Sequence, residues 1–244
     1  MKKERILGIP FNNLNEEEIL KQIEFFFNDD REHTVLFLSV PLLIKARRNK
    51  PIRVFLGEAD LVIPSGKWIY WAADFLGKPV RQKIDPSSLV KRILVQSASL
   101  NKKVYIFGGK QHSVDIAIEN LKKEIPRLFL IGKHSRKYRI NELDDLLDAI
   151  RKSSPDYFFI GLGSPEEEYW IINYRQKINS RVVILIESLI DVYSGKARRS
   201  YYLRSFDVEK AVNREIANPH RLKRIFLILP FILMIIIEKI FWKN

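Results

Sequence analysis

The chain has 244 residues, 46% hydrophobic and 29% charged, which suits one large α/β domain or two small ones and excludes a disordered chain. A formal net charge of +13 points to an anionic partner such as a nucleotide, a nucleic acid or an acidic lipid. Cysteine is absent, so disulfide frameworks, thiolate metal sites and cysteine nucleophiles are excluded. The N-terminal Met1-Lys-Lys-Glu-Arg5 lacks the apolar core of a secretion signal, so a cytoplasmic location is expected.

Apolar periodicity predicts an amphipathic helix over 16–27, a strand over 34–38 and a helix over 41–48. A short strand over 61–63 leads into Pro64-Ser-Gly66, with helices over 67–75 and 87–97 behind it. A strand over 103–107 ends at Gly108-Gly109, and a helix over 112–123 follows. Next come a strand over 128–131, a helix over 141–152 and a strand over 157–160. A helix capped by Ser164 runs to about 176, and 182–186 is a strong strand. Strands separated by helices imply βαβ units, hence an α/β fold with a mainly parallel sheet flanked by helices.

The most informative stretch is Phe159-Ile-Gly-Leu-Gly-Ser-Pro-Glu-Glu-Glu-Tyr-Trp170. Its apolar run stops at Gly161 and Gly163, Ser164 fits a helix N-cap, Pro165 fits the first helical position, and three acids fill the first turn. Such a junction brings backbone N–H groups to the C-terminal edge of a sheet, where phosphates bind. Glycine and serine also serve α/β turns for steric reasons alone, and that alternative stays open. A second junction, Gly108-Gly109, would frame a ligand together with the first.

After Gly195 the composition changes. Residues 196–224 hold nine Lys or Arg against three acids, and an unbroken apolar run of 13 residues follows, Ile225 to Ile237. As a helix that run reaches about 20 Å, short of a hydrocarbon core of roughly 30 Å. Basic residues before it and Trp242-Lys243 after it suit an interfacial anchor on anionic lipid. The expected organisation is therefore a body over 1–195, a basic appendage over 196–224 and an apolar membrane-anchoring tail over 225–244. Arg221 and Arg224 share a helical face, with Asn218 and Pro219 as a helix start.

Much familiar chemistry is missing. The four His are isolated, no Asp-x-Asp occurs, and neither a Walker loop, a GxGxxG nor a Gly-x-Ser-x-Gly is present, so no metal and no cofactor are expected. No aromatic-interleaved basic sheet or basic recognition helix appears, so nucleic acid is not an expected partner.

Taken together, the pieces resemble the WecG/TagA/CpsF family of bacterial glycosyltransferases. They are Glu58-Ala-Asp-Leu-Val-Ile-Pro64, Tyr105-Ile-Phe-Gly-Gly109, Pro155-Asp156, Gly161-Leu-Gly-Ser-Pro165 with Glu168, Asp191 with Ser194-Gly-Lys196, Arg199, and Arg214 through Pro219 to Arg221 and Arg224. The resemblance implies a Rossmann-like fold. It also implies transfer of an N-acetylhexosamine, typically of the mannosamine type, from UDP to a polyprenyl-diphosphate-linked sugar at the inner membrane face. The partners are then a UDP-sugar, a lipid-linked glycan and anionic membrane lipid, and an oligomer stays open. Gly108, Gly109, Gly161, Gly163, Ser164, Glu167, Glu168, Asp191, Lys83, Arg214, Arg221 and Arg224 fall at the substrate-binding positions.

The chain also departs from that pattern. The family's Thr-x-Asn reads Phe37-Leu-Ser39, and its Asp-Gly, whose Asp is the proposed general base, reads Ser65-Gly66. Its Arg-x-x-Gly-x-Asp reads Lys83-Ile-Asp-Pro86-Ser-Ser88. A family Gln has become Glu167, the late Gly-rich turn reads Glu187-Ser-Leu-Ile190, and Arg-Ala-Pro reads Arg199-Ser-Tyr201. Ser65 cannot accept a proton as a carboxylate does, and losing a positioned base costs about 10²–10⁴ in rate. Glu167 and Glu187 add negative charge where a diphosphate is expected, and close like charges repel by about 1–4 kcal/mol. Ser65, Ser39 and Asp85 are the catalytic candidates, with Asp85 as the replacement base. Two outcomes are open: a working transferase with altered catalysis, or an inactive family member serving as a membrane-bound partner in envelope glycan assembly.

Overall fold

The computed structural model describes residues 3–195 and 219–241, with the backbone alone for 219–227. Six strands form the central sheet: β3 (His33–Leu38), β4 (Leu61–Pro64), β5 (Val104–Gly108), β6 (Leu130–His134), β7 (Tyr157–Gly161) and β8 (Val182–Leu185). All neighbours are parallel, in the order β4-β3-β8-β7-β5-β6. A parallel sheet needs both faces covered, and the strand sequences show it. Leu36, Phe158 and Val183 point into one core, while Val35, Phe159 and Ile184 point into the other.

Helices α2 (Val40–Arg48), α3 (Lys50–Glu58), α4 (Lys67–Phe75), α7 (Leu143–Ser153) and α8 (Glu166–Tyr174) cover the first face. The second face carries α1 (Glu16–Phe25), α5 (Pro86–Ser99), α6 (Gln111–Glu124) and α9 (Leu189–Tyr193). Their starts follow from local chemistry. Asn15 and Glu18 form a reciprocal capping box on α1, and Asn49 caps α3 by accepting the Ile52 N–H. The Rossmann-like α/β fold expected from the sequence is the fold observed.

Some elements differ from the periodicity reading. An antiparallel hairpin, β1 (Lys3–Ile6) and β2 (Ile9–Asn12), turns at Leu7 and Gly8, both with positive φ (52° and 80°). Such a turn usually shows Asn-Gly, and a leucine in that conformation hides it from sequence. The hairpin covers the β4 edge, where buried Asn12 accepts the Val62 N–H at 2.8 Å. Helix α3 adds to the elements expected from periodicity; its Pro51 occupies the first turn, where no N–H is needed. Strand β6 lies two residues later than expected, since Leu128 is buried in the second core instead of pairing.

The final helix, α10 (Pro219–Phe241), runs through Pro230 and lies on the body. Phe231 and Ile235 are fully buried in the first core, and the helix contacts α2 and α4. Glu238 accepts the Leu7 N–H at 2.8 Å, and Lys239 Nζ donates to the Phe75 carbonyl at 2.6 Å. The run read as wholly apolar thus has a docked face. Its other face leaves Leu229, Leu233, Ile237 and Ile240 in solvent. Among the described residues, no helix is long and apolar enough to cross a membrane.

Candidate active site

Strand order brings the singled-out segments to one edge. Along the C-terminal ends of the sheet the sequence is Ser65 after β4, Ser39 after β3, Glu187 after β8, the 161–164 turn after β7, and Gly108-Gly109 at β5. The connection after β5 runs outward to β6, whereas that after β7 runs back to β8. The crevice between β5 and β7 is therefore the switch point at which such sheets bind ligands. Both glycine junctions meet there.

The glycines have a close steric reason to be there. A Cβ on Gly108, at φ 138°, would lie 2.2 Å from the Gly161 carbonyl oxygen, far inside contact distance. A Cβ on Gly109 would meet Ile190 Cγ2 at 2.6 Å, and one on Gly161 would meet Ile190 Cδ1 at 2.9 Å. Helix α9 thus lays Ile190 into the gap between the two strand ends. Asp191 begins the next step of that short helix, and the Ser194 hydroxyl donates back to its carbonyl.

The turn after β7 differs from the expected junction in two respects. Helix α8 starts at Glu166, and Ser164 does not cap it; the Ser164–Pro165 peptide is cis. The Ser164 hydroxyl faces the Glu168 carboxyl instead of the helix amides. The backbone amides are also not bare. Glu167 accepts the Glu187 N–H at 3.1 Å to each oxygen and the Gly163 N–H at 3.3 Å. The chain's own carboxyl sits where an anion was expected.

Three carboxyls crowd this edge, and burial governs them. Glu167 and Glu168 are each about 1% exposed. Burial, followed by the Glu168 and Glu187 charges, pushes the Glu167 pKa well above the usual carboxylate range, against the two N–H bonds. Burial likewise pushes Glu168 up to about 7, with its own N–H and Ser164 opposing. Glu187 is raised by burial, and its bond with the Ser39 hydroxyl moderates the rise. Burial favours the proton-bound form of each of these groups, which lessens the repulsion expected for a diphosphate. The sequence places Glu167 and Glu187 near one pocket, but β8's position beside β3, which brings Glu187 to Ser39, is not readable along the chain.

On the other flank the Ser65 N–H donates to the Leu38 carbonyl at 3.0 Å, tying the β4 and β3 ends together. The Tyr70 hydroxyl donates to the Ile84 carbonyl at 2.6 Å, accepts the Ile84 N–H at 3.0 Å and lies 3.2 Å from the Pro64 carbonyl, which holds the loop of Lys83 and Asp85 against the end of β4. Lys83 is exposed. Asp85 caps α5 by accepting the Ser88 N–H at 3.0 Å, so this carboxylate already has a structural task. Phe37 is buried among Ile63, Ile84 and the α1 side chains. Arg221 and Arg224 lie on α10, and Arg214 is outside the described residues. No group of His, Asp or Glu able to hold a metal occurs among the described residues. A surface hollow of about 390 Å³, lined by Asp144, Asp148, Arg151 and Lys177, belongs to α7, not to the strand ends.

A parallel sheet with its glycine turns and polar side chains gathered at one switch point defines a Rossmann-like α/β protein. The chain belongs to the glycosyl transferase WecG/TagA/CpsF family, whose profile matches residues 4–244. It is similar to an N-acetylglucosaminyldiphosphoundecaprenol N-acetyl-beta-D-mannosaminyltransferase of Bacillus spizizenii, 26% identical over 231 residues, covering 93% of this chain and 88% of that one. It is also similar to a Staphylococcus aureus protein of the same description, 24% identical over 207 residues, covering 84% of this chain and 81% of the other.

Proposed function

We propose that this protein transfers an N-acetylhexosamine of the mannosamine type from a UDP-sugar to a polyprenyl-diphosphate-linked sugar in cell-envelope glycan synthesis. The observation that carries this reading is the near-full-length match to relatives described as acting on N-acetylglucosaminyldiphosphoundecaprenol. The strand-end crevice supports it. In this reading the 161–164 turn, with Gly108, Gly109 and Asp191, faces the donor, while Ser39, Ser65 and Asp85 flank the acceptor. Lys83, Arg214, Arg221 and Arg224 supply the positive charge that two diphosphates need. Burial, which favours the proton on Glu167 and Glu168, lessens the charge these groups would set against a diphosphate.

The protein would work at the inner membrane face, held by the exposed side of α10. Leu229, Leu233, Ile237 and Ile240 form that side, and the basic segment before the helix suits anionic headgroups.

One observation favours a second reading, an inactive family member acting as a membrane-bound partner. Glu167 already occupies the amides of Gly163 and Glu187, and Ile190 fills the gap between the glycine turns. The deciding experiment incubates the full chain with a panel of UDP-N-acetylhexosamines and an N-acetylglucosaminyl-diphosphate lipid. Sugar incorporation into lipid from one donor, with UDP released in equal amount, is the expected result. Folded protein that turns over no donor in the panel would favour the inactive partner.

A further inference from the structure

The edge of this sheet has a serine where a carboxylate base is expected, and Asp85, the acid on that flank, is committed to capping α5. Besides Asp191, which faces the donor side on α9, three acids stand at the strand ends, and their surroundings separate them. Glu167 has both oxygens on backbone N–H groups. Glu168 is enclosed, about 1% exposed, and although its Oε2 also lacks a hydrogen-bond partner among the described residues, that enclosure keeps it from a substrate hydroxyl. Glu187 is different. It is half-buried, its carboxyl meets the Ser39 hydroxyl, and its Oε1 has no hydrogen-bond partner among the described residues.

The backbone is built to place this side chain. Glu187 has a φ of 48°, a left-handed conformation that costs a non-glycine residue about 1–2 kcal/mol. Its N–H is held by the Glu167 carboxyl, which fixes that conformation. A shielded acceptor oxygen without a donor costs a further 1–3 kcal/mol or so. Two such costs at one residue of a sheet's ligand-binding edge mark a site where function sets the geometry.

We propose that Glu187, oriented by Ser39, is the general base that takes the proton of the acceptor hydroxyl; this rests on the transferase reading above. The acceptor oxygen forms a bond to the anomeric carbon as the bond from that carbon to the UDP oxygen breaks. The bonding pair leaves with UDP, the hydroxyl proton passes to Glu187 Oε1, and water later removes it. Because β8 adjoins β3, Glu187 and Ser39 are one strand apart, roughly 5 Å, and Ser65 is a strand further out. The base has moved toward the middle of the sheet. Burial raises the affinity of Glu187 for a proton, as a base working near neutral pH requires, and Ser39 limits the rise. The other titratable groups facing it among the described residues are Glu167 and Glu168 of α8.

The test follows kcat for transfer against pH in wild type, Glu187→Gln and Ser39→Ala, with UDP affinity and Tm for each. Glu187→Gln is expected to lower kcat about 10²–10⁴-fold while UDP affinity stays within about threefold. Ser39→Ala is expected to move the acid limb of the kcat profile to higher pH, whatever its plateau, since it removes the bond that favours the ionised carboxyl. A merely structural serine would leave the limb in place. A folded, UDP-binding Glu187→Gln protein with kcat within tenfold of wild type overturns the assignment and leaves the transferase reading standing. If Glu187→Gln does not fold, an unmoved acid limb in Ser39→Ala overturns it instead. Wild type that transfers nothing removes the transferase reading, and the base with it.

Discussion

Replacing Glu168 with Gln raises the melting temperature strongly at pH 8 and hardly at all at pH 4. The side chain is about 1% exposed, and burial moves its pKa from 4.5 to about 7. The folded state therefore holds the proton more tightly than the unfolded chain. Its stabilising contribution is complete below pH 4.5 and is lost as pH rises to about 7, with no further loss above that. The shift corresponds to about 3 kcal/mol, an upper figure because Glu167 and Glu187 share the same protons. Glutamine keeps the shape and never ionises. At pH 8 the variant should gain most of that energy, roughly 6–12 °C for a chain of this length. At pH 4 a neutral carboxyl and an amide are nearly equivalent. Thermal melts from pH 4 to 8 decide the matter, and an equal change at every pH would show that Glu168 is not buried as described.

Changing Leu229, Leu233 and Ile237 together to Ser should abolish most binding to anionic vesicles without unfolding the protein. These three residues are 62%, 59% and 45% exposed, on the side of α10 away from the body. Placing them in a bilayer interface gains about 1 kcal/mol each beyond their present burial, so the triple change should weaken partitioning roughly hundredfold. Removing the whole tail would be a poorer experiment, because Phe231 and Ile235 are part of the core. Co-sedimentation with phosphatidylglycerol vesicles reads the effect. Undiminished pelleting of a folded triple variant would mean that the exposed face is not what meets lipid.

These effects show what the chain discloses one residue at a time and what it does not. The strands and most helices are legible because apolar periodicity is local, whereas Asp85, read as a replacement base, proves to cap α5. Leu7 defeated the hairpin reading because the left-handed conformation it adopts is normally signalled by Asn or Gly. Ser164 has the side chain of an N-cap, yet its hydroxyl goes to a carboxyl four residues on, a preference visible only once Glu168 is buried. The docked face of α10 could not be seen in an all-apolar run, since Phe231 and Leu233 differ only in what lies opposite. The meeting of Glu187 with Ser39 depends on strand order, which joins residues about 150 positions apart. Substituted positions can be read from a chain, whereas replacement by a neighbour in space needs the fold.

The claim on which the rest stands is that a sugar nucleotide binds at the C-terminal ends of β5, β7 and β8. Amide hydrogen exchange of the full chain, with and without millimolar UDP, tests it most directly. Slowed exchange is expected at 108–109, 161–164 and 190–191. Protection confined to the α7 hollow around Asp144 and Asp148, or none anywhere, would contradict it.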